Sequence, residues 1–387
     1  MRRKLSEHPA ERNVTRLRLD LDTWQLDLSI ASFRALTILE LRGASAPEQW
    51  PAALRHLEQL HTLVVDLPLP VLPEVFFQLP ALRELRYVNQ RPTSLPSTFA
   101  AAPITSLEIR VGDHLPSDLP RLPLTKLVAR GPLLGNADVL LSLPGLTELA
   151  LRDTRRPTLP SQVTRLRRLV RLDLGRHARG AIGEAGARSF DGLTRLPRLE
   201  HVDVSGWDFA GALPDSFGRI LSLRSLWARR CGLTRLPRRV LSARLEELWV
   251  SDNPQLAHLD GLARCRSLHT LHASGTALTE LQGPLPALRS LSIDRTRVGE
   301  LPGAPALASL HAADVVTLRG FDRWEQLRDV WASGAGIERL PEGPAEHLQA
   351  LHVPYTSVSE LPAAPALRSA DLRGCPLDAE ARARAHA

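Results

Sequence analysis

Leu146-Thr147-Glu148-Leu149-Ala150-Leu151-Arg152-Asp153-Thr154 is the stretch whose reading decides the fold. Leucine stands at its first, fourth and sixth positions, and a small polar residue at its ninth. The spacing returns at Leu36-Leu39-Leu41, Leu169-Leu172-Leu174 and Leu288-Leu291-Ile293. With Val, Ala, Ile or Tyr admitted at some positions, about 17 units run from Val14 to Leu367. Successive starts lie 19 to 24 residues apart, with one exception of 30. Composition agrees: 43% of the residues are hydrophobic but only 4% aromatic, so leucine supplies the core, as in a repeat array.

Seventeen units in register resemble the leucine-rich-repeat family over residues 14–377. The resemblance implies an α/β repeat solenoid. Such a horseshoe has a parallel β-sheet on its concave face and irregular or short helical returns on its convex face. In the family the ninth residue bonds the backbone of the turn after the strand. Thr154, Cys231, Asn253, Thr276, Thr296, Thr356 and Cys375 fill that position. Ala44, Pro68, Gln90, Gly112 and Pro132 depart from it, so the N-terminal turns are expected to be less regular. Leu-Pro pairs such as Leu159-Pro160, Leu213-Pro214 and Leu301-Pro302 recur in the second half of the repeat. Proline lacks a donor and fixes φ, which suits a return segment better than a sheet interior. The segment from Leu213 to Ile220 is similar to the plant-type return, and the short units after Leu268 resemble repeats of bacterial effector proteins.

A single repeat cannot bury its own leucines, so neighbours must stack and the ends need caps. Residues 1–13 and 378–387 are the expected N- and C-terminal cap segments around one repeat domain, 14–377. The long unit carries an insertion near residues 175–190, with Gly180, Gly183 and Gly186. It lacks the Gly-Lys-Ser/Thr of a phosphate loop and reads as a flexible excursion.

Side chains alternate along a strand, so the residue between two core leucines points outward. Stacked parallel strands align these residues in a row about 4.8 Å apart. In the C-terminal half the row holds Trp227, Trp249, His272, Ser292, His311, Trp331 and His352. Three of the chain's seven tryptophans stand on this row, and a fourth, Trp207, occupies a ninth position. Exposed tryptophan on a rigid sheet is typical of binding hot spots. The alternative is that the rings only stack on one another and stiffen the sheet. Two residues further on, a second row holds Arg110, Arg130 and Arg152, and later Arg229, Asp294 and Arg373. The three arginines fit an acidic patch on a partner, or form a solvated face partly paired with Glu108 and Glu148.

These residues point to a protein–protein interaction module that binds a protein partner and is not an enzyme. A secreted bacterial effector that binds a host protein is the alternative. Some bacterial effectors join such repeats to a ubiquitin-ligase domain, and the resemblance here covers only their binding half. The sequence has no HExxH, no CxxC pair and no His/Cys cluster at ligand spacing, so no metal or cofactor is expected. Cys231, Cys265 and Cys375 have core or turn roles, and three cysteines make no disulfide framework. The net charge of +7 comes almost wholly from arginine mixed with acids, and nucleic acid is not expected as a partner. The sequence lacks an apolar signal region and a membrane-length apolar run. A cytoplasmic monomer is expected, with export by a route without a cleaved signal as the alternative.

Overall fold

A computed structural model describes residues 3–7, 13–96, 102–132, 135, 137–154, 158–176, 180–181, 189–319, 326–337, 340 and 345–377. The expected C-terminal cap, 378–387, lies outside these residues, as do most of the insertion and part of the N-terminal segment. The chain divides into two compact units, Met1–Gly175 and Arg176–Ala387.

The first unit is a ladder of eight parallel strands, each paired with its sequence neighbours. They are β1 (Arg16–Asp20), β2 (Ile38–Arg42), β3 (Thr62–Asp66), β4 (Glu84–Tyr87), β5 (Ser106–Arg110), β6 (Lys126–Arg130), β7 (Glu148–Arg152) and β8 (Arg171–Asp173). The register places leucine on leucine, as in Leu85↔Leu107 and Leu127↔Leu149. The N-terminal residues Arg3–Lys4 pair in parallel with Trp24–Gln25, and Leu5 is fully buried.

The second unit repeats the plan with nine parallel strands. They are β9 (His201–Asp203), β10 (Ser225–Trp227), β11 (Glu247–Trp249), β12 (Thr270–His272), β13 (Ser290–Ser292), β14 (Ser309–His311), β15 (Asp329–Trp331), β16 (Ala350–His352) and β17 (Ser369–Asp371). Leu226, Leu248, Leu271, Leu291 and Leu310 lie side by side with no exposed surface. Each therefore covers the apolar face that its neighbour cannot bury alone. Each of the 17 units read from the sequence supplies one ladder strand.

The returns are short 3-10 turns rather than α-helices, for instance Glu74–Gln78, Ser161–Arg165 and Asp215–Arg219. Proline explains their starts: Pro73, Pro160 and Pro214 stand immediately before these turns in extended backbone, where no N–H is needed. Leu159, Leu213 and Leu301 of the Leu-Pro pairs are buried. In the short units after Leu268, no 3-10 turn occurs among the described residues.

The ninth position works as expected. Thr276, Thr296 and Thr356 donate their hydroxyls to the carbonyls of Ala273, Ile293 and Val353 at 2.7–2.9 Å. Asn253 accepts from the amides of Cys231 and Leu233 and donates to the carbonyls of Ala228 and Val250. The preceding residue turns left-handed, with φ of +60° at Asp252 and +55° at Arg295. In the N-terminal units that lack such a side chain, the difference takes the form of longer strands. Most span five residues, against three in the second unit, although the main-chain bond that follows the strand is made in both, as by Val111 N–H to Arg130 C=O and Asp252 N–H to Ser274 C=O, each at 2.8 Å.

Candidate functional site

The core leucines of β10 to β16, replaced by Val330 in β15, force the intervening residues outward, and the register aligns those residues strand by strand. Trp227 pairs with Trp249, Trp249 with His272, His272 with Ser292, Ser292 with His311, His311 with Trp331, and Trp331 with His352. All six aromatic residues expected from the sequence thus stand on one row of the second unit.

The rings form two stacks. Trp227 and Trp249 lie 5.0 Å apart between centroids, and Trp249 and His272 lie 3.8 Å apart and within 13° of parallel. Beyond Ser292, His311 and Trp331 are parallel at 6.0 Å, and Trp331 and His352 are parallel at 3.8 Å. The Arg229 guanidinium lies 5.3 Å from the Trp249 ring centroid, a cation–π contact. The Trp227 indole donates to Glu247 at 3.4 Å, whereas the buried Trp249 Nε1 has no partner among the described residues. His352 Nε2 and the Ser369 hydroxyl are 2.9 Å apart. The row is half-buried by its own stacking, and Trp331 keeps 40% of its surface exposed. Burial against its neighbours lowers the His272 pKa from 6.5, and His311 and Arg229 add to the shift by repelling a charge there, so the imidazole is held neutral at pH 7.

Between the stacks lies a hydroxyl–carboxylate cluster. The Ser274 and Ser292 hydroxyls are 2.6 Å apart, and Ser274 Oγ donates to Asp294 Oδ2 at 3.1 Å. The Ala313 N–H holds the other Asp294 oxygen at 2.7 Å.

The second expected row belongs to the first unit. Arg110, Arg130 and Arg152 stand in register on β5, β6 and β7. Each is engaged by a neighbouring repeat. Arg110 donates to Gln90 at 2.7 Å, Arg130 to Glu108 at 3.0 Å, and Arg152 to Asp173 at 2.6 Å. Glu108 also takes Arg86, so one carboxylate serves two strands. The Glu148 carboxylate takes Lys126 at 3.2 Å. Inter-strand pairing of this kind relieves like-charge repulsion along the row and adds little stability at a solvated surface. The row therefore has the geometry of the partly paired face, and its arginines lie in a different unit from the aromatic row.

Burial pushes the thiol pKa values of Cys231 and Cys265 up to about 12, so neither is a thiolate at neutral pH. Among the described residues no group of three His, Cys, Asp or Glu side chains could hold a metal ion. No helix among them is long and apolar enough to cross a membrane.

Solved structures repeat this arrangement over most of the chain. A leucine-rich-repeat protein of Leptospira interrogans superposes with a TM-score of 0.59 at 18% identity, covering 92% of this chain and 88% of its own. The chain folds as a leucine-rich-repeat protein. The Arabidopsis receptor kinase HAESA, in complex with the peptide hormone IDA and a co-receptor, superposes at 0.52 and 18% identity over 90% of this chain and 72% of its own. Toll of Drosophila, in its complex with Spatzle, gives 0.52 and 15% identity over 89% of this chain and 51% of its own. No family model matches the leucine-rich-repeat sequence, and no curated protein sequence matches it.

Sequence reasoning missed two features of this surface. Ser292 reads as a mere interruption of the aromatic row, and Asp294 as one acid among arginines, yet the two meet with Ser274 between the stacks. Trp207, at a ninth position, is buried against Phe190 at 5.3 Å and belongs to the core.

Proposed function

We propose that this leucine-rich-repeat protein is a non-catalytic interaction module, and that the aromatic row of its second unit docks a protein partner. The observation that carries this reading is the register of the row. Six aromatic side chains, ordered by mutual stacking, face outward on consecutive strands with only Ser292 between them. Rigid aromatic groups that are ordered before binding lose little entropy when a partner covers them, and tryptophan dominates binding hot spots. Stacking alone explains the contacts within each stack but leaves Trp331 40% exposed, which folding does not require. The Arabidopsis and Drosophila relatives in fold were solved as complexes with a peptide hormone and with Spatzle, and this supports binding as the use of the fold.

The test is capture of partners by the wild type and by a Trp227→Ala/Trp249→Ala/Trp331→Ala variant whose circular dichroism matches the wild type. A specific partner held by the wild type and lost by the variant is the expected result. Partners held equally by both would overturn the reading.

A further inference from the structure

The aromatic row has one step without a ring, at Ser292. Trp249 stacks on one side of His272, and Trp331 packs against one side of His311. No described ring contact links His272 to His311, because Ser292 occupies the step between them. Two ladder steps span roughly 9.6 Å. Aromatic groups pack with centroids about 4.5–7 Å apart, so two steps along the sheet are the backbone spacing that one planar group between two rings requires.

The floor of the step selects among planar groups. Ser292 lies there with only 8% of its surface exposed. Beside it Asp294 is held by the Ala313 N–H at 2.7 Å and by the Ser274 hydroxyl at 3.1 Å. No described ion pair involves Asp294, so its charge is uncompensated at short range. The Ser292 hydroxyl adds a longer bond to the same oxygen as Ser274, at 3.4 Å. A carboxylate has about four acceptor sites, and these three donors leave one, on the oxygen that Ala313 holds. A neutral aromatic ring in the step would leave that charge unpaired, and an anion would be repelled. A lysine ammonium would meet the carboxylate but not fill the planar space. A guanidinium is planar, stacks on ring faces, carries positive charge and donates in a fork that fits a carboxylate.

Resting on the docking reading above, we propose that the step at Ser292 binds one arginine side chain of the protein partner, its guanidinium between the His272 and His311 rings and hydrogen-bonded to Asp294. The flanking stacks then hold the partner on either side of this step, and the arginine sets the partner's register along the row.

The full chain, labelled in its histidine rings, is titrated by NMR with acetyl-Gly-Arg-Gly-amide and with the same peptide carrying citrulline or lysine. Citrulline keeps the planar shape and removes the charge. Saturable shifts at His272 and His311 are expected with the arginine peptide, with binding at least about tenfold weaker for the other two. Ser292→Trp fills the step with a side chain that Trp249 and Trp331 already show to be tolerated on this row, and it abolishes the shifts. Asp294→Asn, which keeps the shape of the floor, makes the arginine and citrulline peptides equivalent. Equal binding of arginine and citrulline by the wild type, an absence of shifts, or unchanged arginine binding by Ser292→Trp would each overturn the proposal. A captured partner released by the triple tryptophan variant but held by Ser292→Trp and Asp294→Asn would overturn the arginine step and leave the docking surface standing.

Discussion

At the scale of the residue, Leu248 and Trp249 are neighbours in the chain with opposite tasks. Leu248 has no exposed surface and contacts the leucines of the adjacent repeats, so Leu248→Ala opens a cavity and should destabilise by about 2–5 kcal/mol. Trp249 faces outward between Trp227 and His272, so Trp249→Ala loses two ring contacts of about 0.5–1.5 kcal/mol each. It should weaken partner binding by about 2 kcal/mol or more while the fold persists. Chemical denaturation beside a binding titration separates the two variants; a Trp249→Ala protein that unfolds as readily as Leu248→Ala would count against the outward assignment. His272 adds a pH dependence. Its pKa is lowered in the fold, so the unfolded chain binds more protons between the folded value and about 6.5. Its contribution to stability is therefore full above pH 6.5 and is lost as pH falls toward the folded pKa. Urea melts at pH 7.5 and 5.5 should show a larger acid loss for the wild type than for His272→Phe, and the His272 NMR midpoint should lie below 6.5.

At the scale of the element, a main-chain bond to the next repeat follows the strand in both units, and a ninth-position side chain adds to the closure of the turn where one is present. Asn253 is the most heavily used of these side chains: fully buried, it satisfies the amides of Cys231 and Leu233 and the carbonyls of Ala228 and Val250. Those bonds tie two consecutive turns together, since Cys231 belongs to the preceding repeat. Replacing Asn253 with Ala strands buried polar groups on both turns, each costing about 1–3 kcal/mol. Thermal denaturation should show a loss of about 3 kcal/mol or more, larger than that of Thr296→Val, where one hydroxyl bond to Ile293 is removed. Similar losses for the two variants would mean that the asparagine is not the link between turns.

At the scale of the whole molecule, each unit is a ladder in which a repeat touches only the repeats before and after it. Stability is then local and additive between neighbours. In β17 the residue at the core position is Ala370, which is exposed, and the flanking Leu367 and Leu372 are only half-buried. The equivalent Leu291 and Leu310 in β13 and β14 have no exposed surface. Hydrogen exchange of the second unit should therefore be fastest in β17 and slowest around β12 to β14, a gradient that mass spectrometry of peptic fragments resolves. Uniform protection from β9 to β17 would show that the unit opens all at once.

The sequence by itself determined the repeat, the parallel register and the outward row from Trp227 to His352. Each of these follows from strand alternation and a constant spacing of leucines, which are properties of the local chain. Tertiary structure alone decided which outward groups touch. It joined Trp249 to His272, turned Arg152 to Asp173 while Lys126 took Glu148, and ordered Asp294 between Ser274 and Ala313. A side chain's direction from the sheet is set by its own backbone, whereas its rotamer and its partner are set by the strands beside it, about twenty residues away in sequence.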